Sequence, residues 1–445
     1  MSLPRPRLFS IAWPLFLEML LGIGVGIVAT GMAGHLSTDA GAAFAMGTQL
    51  AATLFLLFRI IGAGVSVVIT QSLGAGRREQ ADAVARAALG ASSWIGGFSA
   101  LMALLFAHQL LRLLNTPEDV LPLAEPLLRW LAPAILLDVW NASMVSVMRA
   151  HMRSRDTLAV IVVMQAIVLL LAVPLMPMLG LPGYALALFV SRLLGLGLHL
   201  WLWRWRLGLK PSGSDWWRLP RQHLAPVLHI GVPGAGENIA YRLCFMVSVA
   251  AVGSLGTQAL ATHAYTQQLM YVVLLFGLSI GFASEIMVGH MIGAGQLHAA
   301  HRLVRRALGI GLVASVLIAS SFALASPWLL RFFTQDEQII KMGVTLMWCT
   351  VVLEPGRSFN LIVINALRAA GDARFPVMAG ALSMLFVLAG GSWLLGVHFG
   401  LGLVGVWIAY AADEWIRGLM MWQRWRSHGW VRHARATHRR VRARA

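Results

Sequence analysis

The chain has 445 residues, 58% of them hydrophobic and only 12% charged, with a mean hydropathy of +0.73. That balance excludes an ordinary soluble domain and points to an integral membrane protein. The formal charge of +17 does not call for nucleic acid, because the basic residues collect in loops between apolar runs, where they set topology.

Taken in order, twelve runs are long enough to cross roughly 30 Å of hydrocarbon as helices. They are 9–33, 45–71, 88–110, 126–148, 157–179 and 184–205, then 226–252, 263–290, 307–330, 343–366, 375–398 and 402–424. The first is too long for a signal-peptide core and has no clear cleavage site, so it reads as a retained span. Leu179-Gly-Leu-Pro-Gly183 and Phe399-Gly-Leu-Gly402 are tight turns that join antiparallel neighbours. The domains are therefore 1–206 and 225–425, each a six-helix bundle, joined by the polar linker 207–224 and followed by a basic tail, 426–445. The tail reads as a solvated end able to touch anionic lipid. Cys244 and Cys349 lie in apolar runs and imply no disulfide framework.

The two halves are copies. Ile11-Ala-Trp-Pro14-Leu-Phe-Leu-Glu18 returns as Ile230-Gly-Val-Pro233-Gly-Ala-Gly-Glu237, an offset of 219 residues that holds without a gap. At that offset Gly34 pairs with Gly253, Gln49 with Gln268, Gly74-Ala-Gly76 with Gly293-Ala-Gly295, and Asn141, Arg149 and Arg155 with Asn360, Arg368 and Arg374. An even number of spans per copy puts both the same way up, related by a pseudo-twofold axis along the membrane normal with a cavity between them. Alternate loops are arginine-rich, which makes that side, with both termini, cytoplasmic.

Ionisable groups at membrane depth are costly and mark an interior path or a partner. Glu18 and Glu237 occupy equivalent places, each four residues after a proline that removes a backbone hydrogen bond and allows a bend. The plainer reading is an acid near a helix start, stabilised by the dipole. Arg242 follows Glu237 by five residues, Arg357 follows Glu354 by three and Arg417 follows Asp413 by four, spacings that favour structural pairing. Glu285 and Asp138 have no such neighbour in sequence, so Glu285 is a candidate to titrate near neutrality. No Gly-x4-Gly-Lys-Ser/Thr, His-Glu-x-x-His or Gly-x-Ser-x-Gly is present, so neither ATP binding by a P-loop nor a zinc or serine enzyme is expected.

The duplicated twelve-span plan, the Gly-Ala-Gly turns, Ala42/Ala261 through Gln49/Gln268, and Leu367-Arg-Ala-Ala-Gly-Asp372-Ala-Arg-Phe-Pro376 together resemble the MATE family, multidrug and toxic compound extrusion. The resemblance covers nearly the whole chain. It implies a secondary antiporter exchanging H+ or Na+ for amphiphilic, often cationic, compounds through a V-shaped pair of bundles. Two family features do not carry over: the first-span acid of many bacterial members falls on Ala29, and acids of another branch fall near Tyr241 and Arg357.

The expectation is thus an all-α polytopic inner-membrane antiporter, monomeric, with no cofactor or metal and no nucleic-acid partner. Ion coupling or substrate binding falls to Glu237, Glu285 and Glu18, with Arg242, Tyr241 and Glu354 beside them, and the scarcity of clustered oxygen ligands around Glu237 favours H+. The alternative is a lipid-linked or polysaccharide translocase of related architecture, which needs an arginine-lined cavity and has Arg59, Arg129, Arg192 and Arg242 to offer.

Overall fold

The computed structural model describes residues 8–114 and 116–443, the side chains of Arg59 and of 442–443 excepted. Among these residues there is no β-strand. The first half holds α1 (Leu8–Leu36), α2 (Thr38–Phe55), α3 (Arg59–Gly74), α4 (Arg78–Leu105), α5 (Ala107–Leu113), α6 (Leu121–Ala150), α7 (Ser154–Leu179) and α8 (Leu181–Leu202). The second half holds α9 (Arg221–Ser254), α10 (Thr257–Gly293), α11 (Leu297–Leu330), α12 (Glu337–Ala369), α13 (Arg374–Ser383), α14 (Gly402–Arg426) and α15 (Gly429–Ala443).

Ten helical segments of the described residues are long and apolar enough to cross a membrane, against twelve expected. The two missing from that set are long enough, but α9 carries Glu237, Asn238 and Arg242 in mid-helix and α14 carries Asp413, Glu414 and Arg417. The expected second span is interrupted: α2 ends at Phe55, a 3-10 turn covers Leu56–Phe58, and α3 continues to Gly74. The stretch after α13 widens into π-helical turns at Met384–Ala389 and Ser392–His398. Left-handed glycines make the expected tight turns, Gly180 before α8 and Gly400 before α14.

The chain forms two compact units, and three of the four edges between them fall inside helices, the fourth in the turn after α3. One holds residues 17–69 and 77–232; its core gathers Phe44, Leu127, Leu128 and Tyr184 from α2, α6 and α8. The polar linker is ordered there. Trp94 Nε1 donates to Trp217 O at 3.0 Å and the Trp140 and Trp216 rings meet edge-on, 5.0 Å apart.

The other unit holds residues 8–16, 70–76 and 233–443, so short pieces of the first half join the second. Its core includes Leu346, Leu353, Trp407 and Tyr410. The Gly-Ala-Gly elements meet reciprocally inside it: a Cβ on Gly74 would lie 2.0 Å from His290 O, and one on Gly293 would lie 2.0 Å from Gln71 O. Gln71 and His290 are themselves 219 residues apart, so both contacts are the same contact made twice. Only glycine permits that approach.

The tail is not a solvated end. Trp430, Ala434, Thr437 and Val441 form a buried stripe on α15 at helical spacing. Trp430 stacks on Trp425 at 4.1 Å, and His438 Nδ1 meets Gly293 O at 2.8 Å.

Candidate functional site: a buried charge cluster on α12 and α14

α12 presents Glu354, Arg357 and Asn360 along one face, three residues apart, and α14 presents Asp413, Glu414 and Arg417 toward them. The backbones come close because the contact residues are small. A Cβ on Gly418 would lie 2.6 Å from the Phe359 ring, and one on Gly356 would lie 2.6 Å from that of Trp415. Pro355, beside Glu354, leaves one backbone carbonyl of α12 without its helical donor and is a place for the helix to bend.

The five charged side chains form one network, and none of these residues is more than 7% exposed. Arg357 Nη1 donates to Glu354 at 2.6 Å and Arg357 Nε to Glu414 Oε1 at 3.2 Å. Arg417 Nη2 lies 3.0 Å from that same Glu414 oxygen and 2.6 Å from Asp413 Oδ2. Asn360 Nδ2 donates to Glu414 Oε2 at 3.0 Å, and Ser383 Oγ to Asp413 Oδ1 at 2.6 Å. Arg417 also lies over the Tyr241 ring, 5.9 Å from its centre. Glu414 is therefore held from three sides, whereas Glu354, among the described residues, takes its hydrogen bond from Arg357 alone.

Three carboxylates face two guanidiniums. In a medium that cannot solvate ions the surplus negative charge must be neutralised by a proton or a bound cation. One turn before Asp413 on α14, Tyr410 adds further buried polar contacts, accepting from Ser248 Oγ of α9 at 2.9 Å and meeting His263 Nε2 of α10 at 3.1 Å.

Of the residues expected from sequence, this cluster takes in Glu354 and Tyr241. Glu237 borders the cluster without joining its hydrogen bonds: a Cβ on Gly380 would lie 3.9 Å from Arg417 Cδ and 4.0 Å from Glu237 Cγ, while the Glu237 carboxylate is ion-paired with Arg368 and not with Arg242, which is exposed on α9. Glu18 is ion-paired with Arg149 and accepts from Thr157 Oγ1 at 2.7 Å. Glu18–Arg149 and Glu237–Arg368 are one ion pair made in both copies of the repeat. Glu285 is buried on α10 and is not the unpartnered acid its sequence neighbourhood implied. Asp138 is likewise paired, with Arg192 Nε at 2.7 Å. Sequence reasoning passed over Glu414 and closed Asp413–Arg417 and Glu354–Arg357 as separate pairs, although three acids stand against two arginines within 354–357 and 413–417.

The MatE family model matches residues 14–195 and 233–393. An uncharacterised transporter of Bacillus subtilis, YisQ, is 33% identical over 439 residues, 96% of each chain. The probable multidrug resistance protein NorM of Bradyrhizobium diazoefficiens is 27% identical over 91% of this chain and 90% of its own. Among solved structures, the Vibrio cholerae MATE transporter VcmN in its bent form matches with a TM-score of 0.86 and 20% identity over 97% of both chains. With a family match across both halves and full-length kinship to a transporter, the chain belongs to the MATE family of membrane transporters.

Proposed function

We propose that the protein is a proton-coupled antiporter that exports amphiphilic, cationic organic compounds by alternating access of two six-helix bundles. The observation that carries this reading is the surplus carboxylate of the Glu354–Arg357–Asp413–Glu414–Arg417 network. A ligand shifts a conformational equilibrium only through differential affinity, and a buried site one charge short of neutrality binds a proton or a cationic substrate but not both. The proton falls on Glu354, the acid with the fewest donors. Every carboxylate oxygen named above faces an arginine, serine or asparagine donor, an arrangement that leaves little room for the several oxygen ligands a metal cation requires. H+ is therefore preferred to Na+.

In this reading α9 and α14 also cross the bilayer, completing twelve spans, and the arginine-rich loops with both termini face the cytoplasm. The recurring ion pair and the reciprocal Gly74/Gly293 contact support two copies related by a twofold axis. Glu18 and Glu237 then anchor the arginine-rich ends of α6 and α12. The protein acts as a monomer. The alternative of a lipid-linked or polysaccharide translocase loses support because Arg129 and Arg192 are neutralised by Glu125 and Asp138 and Arg242 is exposed on α9; the Arg59 side chain lies outside the described residues and bears on neither reading.

The test is uptake of a lipophilic cationic dye into proteoliposomes under an imposed pH gradient. Glu354→Gln abolishes gradient-driven uptake while retaining dye binding, and Glu414→Gln weakens both. Full uptake by both variants overturns the assignment.

A further inference from the structure

We infer that α15 is a docking face for anionic phospholipid headgroups. Its buried stripe, Trp430, Ala434, Thr437 and Val441, fixes the rotation of the helix, and Arg432, Arg435 and Arg439 emerge exposed on the opposite side. Their spacing of three and four residues sets them in one row about 10 Å long. From Trp415 to Ala445 the sequence holds no Asp or Glu.

Three features of place select lipid as the occupant. α15 begins three residues after Arg426, the last residue of α14, across a turn where His428 takes φ 58°. A helix so closely tied to the end of α14, which crosses the bilayer in the reading proposed above, stays at the membrane surface. Trp425 and Trp430, both fully buried and stacked at that turn, fix the angle at which α15 leaves α14. The helix is also clamped to the protein. His438 Nδ1 meets Gly293 O at 2.8 Å, and His433 Nε2 lies 3.9 Å from Asp372 Oδ1. A preordered row of guanidiniums grips phosphate oxygens bidentately, without the ordering that a disordered basic tail requires.

Full-length protein purified in neutral detergent and titrated with fluorescent phosphatidylglycerol tests this, with fluorescent phosphatidylcholine as reference. The wild type binds phosphatidylglycerol in preference, and the triple variant Arg432→Gln, Arg435→Gln, Arg439→Gln loses on the order of a hundredfold in that affinity, the effect of three arginines near an anionic surface. The three corresponding Arg→Lys changes retain the preference in part, which shows that the loss belongs to charge and not to misfolding. Unchanged phosphatidylglycerol binding by the Gln variant overturns the inference. So does competition by millimolar inorganic phosphate or by a short RNA as effective as that of unlabelled phosphatidylglycerol, since either makes the row a general anion site.

Discussion

The repeated ion pair makes a quantitative test because its two copies differ in enclosure. In the first, the Glu18 side chain is 3% exposed and that of Arg149 is 26% exposed. Arg149→Leu strands an enclosed carboxylate with the Thr157 hydroxyl as its remaining partner, and breaking a buried pair in that way costs about 3–5 kcal/mol. Glu18→Gln keeps an acceptor for Thr157 and leaves a guanidinium that reaches water, so the loss is nearer that of one charge-assisted hydrogen bond, about 1.5–3 kcal/mol. The difference, about 2 kcal/mol, is roughly a thirtyfold change in the unfolding constant. In the second copy, Glu237 and Arg368 are 11% and 12% exposed, so Glu237→Gln and Arg368→Leu differ by less. Removing both charges as Glu18→Leu with Arg149→Leu leaves no stranded ion and is milder than Arg149→Leu alone. Unfolding in mixed micelles, followed by helical circular dichroism, measures the series. Equal losses at the first pair, or a double variant worse than Arg149→Leu, refute the reasoning.

Other outcomes follow from single positions. Gly74→Ala drives a methyl into the His290 carbonyl and lowers thermal stability sharply, whereas Gly76→Ala, left-handed but with open space around it, costs only about 1–2 kcal/mol; a thermal-shift series separates them. Trp430→Ala removes a fully buried ring and costs about 3–5 kcal/mol of α15 docking, read as faster proteolysis after Ser427. At the turn after α6, burial holds the His151 imidazole below its usual 6.5, opposed by the Val147 carbonyl and Asp82. The folded state therefore keeps His151 neutral while the unfolded state binds a proton, so this contribution is complete above about pH 6.5 and is lost on acidification below it. His151→Gln flattens the slope of stability between pH 7 and 5.

The duplication was legible because it depends on register alone, and so were the helical class and the tight turns. Partners across helices were not. Glu18, Arg149 and their counterparts Glu237 and Arg368 each stood out as repeated residues, and opposite charges kept at equivalent places in both copies are the signal that they meet. Helical spacing hid this by offering Glu237 a nearer arginine, Arg242, on the same helix but in the wrong direction around it. The central network escaped for a related reason. Glu354–Arg357 and Asp413–Arg417 each closed as a local pair, and only the contact between α12 and α14, permitted by Gly356 and Gly418, merges them through Glu414. In α15 the density of arginine masked a plain apolar stripe.

The polarity that removes α9 and α14 from the apolar set bears on biosynthesis. Inserted alone, a helix with an Asp or Arg at its centre is opposed by about 2.5–3.5 kcal/mol per such residue at the translocon. α14 emerges after α12 and finds Arg357 and Asn360 already in place for Glu414. α9 emerges more than a hundred residues before its partner Arg368 exists. The second half of this protein is therefore expected to be held at the translocon as a group, with α9 retained until α12 arrives, so that the order of synthesis, and not hydropathy alone, decides how its most charged helices enter the membrane.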